Sequence, residues 1–165
     1  MEPVESEVAR GAPSRDVAWD SAAFESFAAE VQPRIVRALV TVRGADRAVD
    51  AAAEAVAHAW EHWEEVRVMA NPAGYLYRVA QSRSRERKRP VLPAAVDIGL
   101  PDVEPGLVPA LLELPLTQRT AVWLVHGCGW SYAETAVAMG ASETAVSTHL
   151  ARGMTSLRRQ LGVVS

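Results

Sequence analysis

Three groups of residues have types and spacings that can do chemistry. The first is His58-Ala59-Trp60-Glu61-His62, an H-x-x-E-H pattern. On a helix its two histidines share one face, the arrangement that holds zinc in one class of metallopeptidase. The second is the run Arg83-Ser84-Arg85-Glu86-Arg87-Lys88-Arg89, which places five cations and one carboxylate directly before Pro90. Such a run can neutralise phosphates. The third lies between Gly129 and Gly153. Ser131 and Glu134 have capping-box spacing, Gly140 can make a tight turn, and Ser142 can cap a helix that turns Val146 and Leu150 inward. Short amphipathic helix, glycine turn and capped second helix together predict a helix-turn-helix. Its second helix can lie in a major groove, with Glu143, Thr144, Ser147 and Thr148 at base edges and Arg152 near phosphate.

These groups compete as accounts of function. Zinc hydrolysis needs a third ligand and a general base beside His58, Glu61 and His62. Glu134 could be that ligand only if the helix-turn-helix were pulled apart. The peptidase therefore stands only as an alternative, and the histidines are expected as partly exposed surface residues. The charge distribution favours the nucleic-acid reading. The chain of 165 residues is 49% hydrophobic with a formal net charge of −3, which by itself resembles no polyanion binder. Residues 1–70, however, carry 7 basic and 13 acidic side chains, while residues 71–90 carry 6 basic and 1 acidic. The positive excess sits in one short stretch, as a local polyanion contact requires.

The elements that must position these groups are helical throughout. Residues 1–20, with Pro3, Gly11 and Pro13, lack periodicity and are expected as a flexible tail. Phe24, Phe27, Val31, Ile35 and Leu39 recur at spacings of three and four, one face of a helix that Pro33 should kink or divide. Gly44 ends it, and Asp46 can cap a second helix over about Arg47 to Arg67. Ala48, Ala52, Ala55, Val56, Ala59, Trp63 and Val66 form that helix's apolar face; Asp50, Glu54, Glu61 and Glu64 lie opposite. Asn71-Pro72 starts a third helix, Asn as cap and Pro at the first position, burying Tyr75, Leu76 and Val79. Pro90, Pro93, Pro101, Pro105 and Pro109 make residues 90–109 a semi-rigid linker. Helical periodicity returns from Ala110 to about Leu161. The expectation is all-α: two small helical domains, 21–89 and 110–165, on either side of a proline-rich tether. One cysteine, Cys128, excludes an internal disulfide framework and fits a reducing cytosol. Neither a membrane-spanning run nor a secretory signal is expected.

Leu114-Pro115, Gln118-Arg119, Gly129, Ser131, Glu134, Ala136, Gly140, Ser142, Val146, Leu150, Arg152 and Leu157-Arg158 resemble the minus-35 binding domain of bacterial sigma factors. Phe24-Glu25, Ala48, Asp50, Glu54, Ala59-Trp60, Asn71-Pro72 and Leu76-Tyr77-Arg78-Val79-Ala80 resemble the sigma domain that binds core polymerase and the minus-10 element. Both sets, in order over about residues 21–161, are similar to the extracytoplasmic-function (ECF) type. The resemblance implies an alternative sigma factor that binds core RNA polymerase and directs initiation at promoter DNA, in the cytoplasm, with no catalytic residue and no cofactor. It assigns core binding to Asp50 and Glu54. It assigns minus-10 contacts to Val68, Met69 and Asn71, which would receive a flipped base, and to Arg83, Arg85, Arg87, Lys88 and Arg89. It assigns minus-35 contacts to Glu143, Thr144, Ser147, Thr148 and Arg152. Members of the family are often held inactive by an anti-sigma protein.

The sequence also departs from the family. Ala53 stands where glutamine is usual, Gln81-Ser82 where Arg-Asn is usual, and Ser147 and His149 where lysine and arginine are frequent. The last two remove permanent charge, so the C-terminal module should rely on tethering to the first. A sigma-like DNA-binding regulator that does not engage core polymerase is the alternative these departures leave open.

Overall fold

The computed structural model describes residues 15–83 and 105–163. Every element in those spans is helical, in the order α1 (Arg15–Arg43), α2 (Ala45–Glu61), α3 (Trp63–Val66), α4 (Pro72–Arg83), α5 (Leu107–Glu113), α6 (Leu116–Val122), α7 (Tyr132–Met139) and α8 (Glu143–Gln160). One π-helical turn, Trp123–Gly127, extends α6. The tail up to residue 14 and most of the proline-rich stretch lie outside the described residues.

The apolar stripe of α1 is buried as its spacing requires: Val31, Ile35, Ala38 and Leu39 are all at most 3% exposed. Pro33 does not divide the helix, which is continuous from Arg15 to Arg43. Proline removes one hydrogen bond to the carbonyl four residues earlier. Here both Pro33 and Ala29 are exposed, so water can bond that carbonyl in place of the missing amide. Helix α2 packs on α1 through Ala45, Ala48, Ala51, Ala52, Ala55 and Ala59, whose small side chains let the two backbones approach closely.

Four local expectations need correction. Asp46 is not the α2 cap: Gly44, at φ 79°, holds that position, and Asp46 lies in the first turn. Nor does α2 run unbroken to Arg67. His62 leaves helical geometry at φ −120°, ψ 30°, and a short α3 follows. The His62 ring donates from Nδ1 to the His58 carbonyl at 3.0 Å, an oxygen that also accepts from the His62 N–H at 3.1 Å. On α4 the fully buried residues are Leu76, Tyr77 and Ala80, while Tyr75 and Val79 are only half-buried. Helix α4 is covered on two sides, by α1 and α2 and by α7, so one stripe does not describe it. Pro109, finally, sits within α5, in the first turn, where a missing N–H costs no helical bond.

The core comprises two clusters. One joins α1, α2 and α4 with Leu124, Trp130 and Ala138 from the C-terminal half. The other packs Ala110, Leu111, Leu114, Ala121, Val122, Trp123, Leu150 and Leu157. Residues before and after the proline-rich stretch therefore share a packed core. Gly74 marks the tightest approach. A Cβ there would lie 2.9 Å from the Glu134 carbonyl oxygen and 3.0 Å from Val137, so α4 can meet α7 only without a side chain.

Candidate nucleic-acid interface

Helices α7 and α8 form the expected helix-turn-helix. Ser131 accepts from the Glu134 N–H at 3.1 Å, and Glu134 accepts from the Ser131 N–H at 3.0 Å. This reciprocal pair satisfies two amides at the start of α7. Gly140 closes the helix at φ 62°, ψ 38°, a left-handed conformation that glycine adopts without cost. Ser142 then accepts from the Ala145 N–H at 3.1 Å and starts α8. Val146 and Leu150 are buried, which fixes the rotation of α8 about its axis.

That rotation puts all five named side chains in solvent: Glu143, Thr144, Ser147, Thr148 and Arg152 are exposed. They sit at spacings of one, three and four, a band along one side of the helix. Glu143 is an acceptor at the first turn. Thr148 donates its hydroxyl proton to the Thr144 carbonyl at 3.0 Å, so toward a base edge its oxygen is an acceptor. His149, beside this band, is half-buried.

The remaining site residues are placed less uniformly. Val68 is 76% exposed, and Met69 packs against the first core cluster. Both lie in the short connection between α3 and α4. Asn71 ends that connection, and its Oδ1 accepts from the Gly74 N–H at 3.1 Å. The cap therefore occupies its oxygen and leaves the amide nitrogen for any other contact. Arg83 is exposed and bonds the His58 ring at 3.1 Å. Arg85, Arg87, Lys88 and Arg89 lie outside the described residues.

On α2, Asp50 and Glu54 are both exposed, four residues apart on one face, and neither forms an ion pair with a described residue. Two apolar side chains of the same helix are exposed as well, Val49 at 50% and Trp60 at 49%. Trp60 stands edge-on to Phe24 at 4.8 Å. An acidic face beside exposed apolar side chains has the composition of a protein-docking surface.

The H-x-x-E-H residues do come together, with donor atoms of His58, Glu61 and His62 all within 4.8 Å of one another. Burial, His62 and Arg83 hold the His58 pKa below the ordinary histidine range. Glu134 cannot complete a hydrolytic set there, because Ser131 and Arg34 hold its carboxylate. Partial burial opposes ionisation of that carboxylate. The Ser131 N–H and Arg34 outweigh it and keep its pKa low. Burial pushes the Cys128 thiol up to about 12, which disfavours the reactive thiolate.

Sequence reasoning missed the contacts that hold α7 against the first half. Arg34 reaches Glu134 at 2.7 Å and lies 5.5 Å above the Trp130 ring. Tyr77 meets Trp130 edge-on at 5.7 Å, and the Trp123 indole donates to the Arg37 carbonyl at 2.9 Å. Arg78, also unassigned, extends from α4 over the Gly140 turn, and Gly140 with Tyr75, Val79 and Met139 lines a groove of about 580 Å³ beside it. An available signal was Gly74, a glycine in the first turn of α4 whose cost needs a packing reason.

Comparison with known proteins places this geometry. Residues 107–157 match the family model described as Sigma-70, region 4. The ECF RNA polymerase sigma factor SigM, from two strains of Mycobacterium tuberculosis, is 29% identical over 161 aligned positions, covering 90% of this chain and 82% of the relative. The sigma factor RpoE of Bartonella quintana, solved in complex with the anti-sigma factor NepR, shares the fold. The TM-score is 0.66 at 21% identity, over 87% of this chain and 99% of that one.

Proposed function

We infer that this chain is an ECF sigma factor that acts by binding core RNA polymerase through α2 and carrying α8 to the upstream promoter element. The observation that carries this reading is the helix-turn-helix itself: two capped helices, a left-handed glycine, and an exposed band from Glu143 to Arg152 within the region 4 match. Glu143 can accept from a cytosine amino group, and Thr144 can touch a thymine methyl. Arg152 supplies charge to phosphate. The exposed acids Asp50 and Glu54, beside Trp60, suit a basic helical partner on the polymerase. Arg83 and the cations that follow it suit the backbone near the start site.

The protein performs no bond chemistry in this role and needs no cofactor. Its contribution is positional: two weak DNA contacts become effective when both are tethered to one polymerase. The work is done in the cytoplasm, where polymerase and promoter meet; no described helix is long and apolar enough to cross a membrane. An anti-sigma protein is a fitting partner, as one is for the Bartonella relative.

Run-off transcription with purified core polymerase on a promoter library tests the reading. Transcripts are expected only when chain and core are both present. Asp50→Arg with Glu54→Arg should abolish co-purification with core while helicity is unchanged. Glu143→Ala and Ser147→Ala should alter the preferred upstream bases, by about 1–3 kcal/mol per lost contact. A chain that yields no transcript from any template is instead a DNA-binding regulator independent of polymerase.

A further inference from the structure

We infer that His58, Glu61 and His62 form a binding site for one divalent cation of the zinc class at the C-terminal end of α2, and that this cation and Arg83 compete for His58. The sigma-factor reading neither requires nor assigns such a site. Each of the three side chains brings a donor atom within 4.8 Å of the other two. The two imidazoles lie 4.1 Å apart, inclined by 37°.

Hydrogen bonds fix which nitrogen of each ring is available. The His62 Nδ1 faces the His58 carbonyl at 3.0 Å. A carbonyl only accepts, so Nδ1 carries the proton and Nε2 keeps its lone pair. His58 is held at both nitrogens, by the Tyr75 hydroxyl at 2.9 Å from Nε2 and by Arg83 at 3.1 Å from Nδ1. A guanidinium only donates, so Nδ1 presents a lone pair and Nε2–H donates to Tyr75. A carbonyl and a phenol behind the rings are the kind of partners that orient metal-binding histidines. The guanidinium is thus a cation already seated on the donor atom a metal would use.

Two nitrogens and one carboxylate suit zinc, with a further position open to water. Magnesium and calcium prefer all-oxygen sites. The end of α2 adds the negative pole of the helix dipole, and the exposed Glu61 adds charge. An ion coordinated by His58 must displace Arg83, the first cation of the basic run. Metal occupancy would thereby change how that residue is presented.

The test uses the full chain carrying His126→Gln and His149→Gln, which leaves only His58 and His62 of its 4 histidines. Zinc is titrated against a chromophoric chelator, with magnesium in parallel. One zinc per chain is expected, undisturbed by excess magnesium. His62→Ala and Glu61→Gln should each weaken zinc binding at least about tenfold, the loss typical even of outer partners. Arg83→Gln should tighten it several-fold by removing the competitor. Both ligand variants lie at the exposed helix end, so they report on the site even if His58→Ala loosens Tyr75. Zinc affinity unchanged in His62→Ala overturns the site, and affinity unchanged or lowered in Arg83→Gln overturns the competition. Because polymerase and DNA are absent, these outcomes leave the sigma-factor reading to its own experiment.

Discussion

The turn between α7 and α8 and the junction that α7 and the residues just before it make with α1 and α4 meet at α7 but differ in how they are specified. In the turn, every stabilising bond spans three to five residues: Ser131 with Glu134, Gly140 with the end of α7, Ser142 with Ala145. In the junction, Arg34 meets Glu134 across 100 positions, and Trp123 reaches Arg37 across 86. The turn is a local code that would be the same in any protein. The junction exists only because two helical surfaces happen to complement each other. Glu134 belongs to both: one carboxylate oxygen caps its own helix and the other binds Arg34. The start of the α7–α8 unit is thereby tied to the half that carries Asp50 and Glu54.

The largest effect expected from breaking the junction is that of Trp130→Ala. Trp130 is 2% exposed and fills the space between Tyr77, Arg34 and the first core cluster. Its removal should cost about 3–5 kcal/mol, the range for deleting a buried aromatic. Urea denaturation followed by circular dichroism measures this. Trp130→Phe sharpens the result, because the buried indole nitrogen has no hydrogen-bond partner. Losing an unpaired donor offsets part of the lost volume, so Phe should cost much less than Ala. Equal costs for Ala and Phe would show that a phenyl ring recovers none of the packing and that the junction requires the indole itself.

The same contrast explains what was legible in the sequence. Helix content, the α1 stripe, the Asn71–Pro72 start and the whole α7–α8 unit follow from periodicity and capping, which act over one or two turns. The misreadings concern residues whose environment is set from elsewhere. Tyr77 is buried because α7 covers a second side of α4, a fact no local pattern carries. His62 leaves helical geometry and ends α2, where alanine-rich periodicity predicted continuity. Within the candidate site, exposure of Glu143, Thr144, Ser147, Thr148 and Arg152 follows from Val146 and Leu150 facing inward, so it could be read directly. The partner of Arg83 could not, since it depends on a specific distance.

A smaller effect is expected from the local code. Ser142→Ala removes the cap of α8 and should destabilise the chain by about 0.5–2 kcal/mol. It should also lower amide protection in the first turn of α8, where Glu143 and Thr144 stand, while leaving the Trp130 environment unchanged. Hydrogen exchange read by NMR separates the two regions. Equal loss of protection at α4 would mean the turn and the junction open as one unit, contrary to the distinction drawn between them.

The smallest and most specific effect belongs to Glu134, where the two regions meet. Glu134→Gln keeps a side chain that can still complete the capping box, but it removes the charge that pairs with Arg34. The two partners are 33% and 25% exposed, so solvent screens the pair and its removal should cost no more than about 1 kcal/mol. The pH dependence identifies the cause. Glu134 has its folded-state pKa lowered from the ordinary 4.5. The folded protein therefore binds this proton less readily than the unfolded chain does. The contribution is complete above the ordinary value and fades as pH falls through the lowered one. The stability difference between wild type and Glu134→Gln should accordingly be constant near neutrality and shrink in acid below about pH 4.5. Denaturation midpoints measured for both chains from pH 7 downward decide it. Parallel curves into that acid range would show that the Glu134 charge, and with it the ion pair across the junction, contributes nothing to stability.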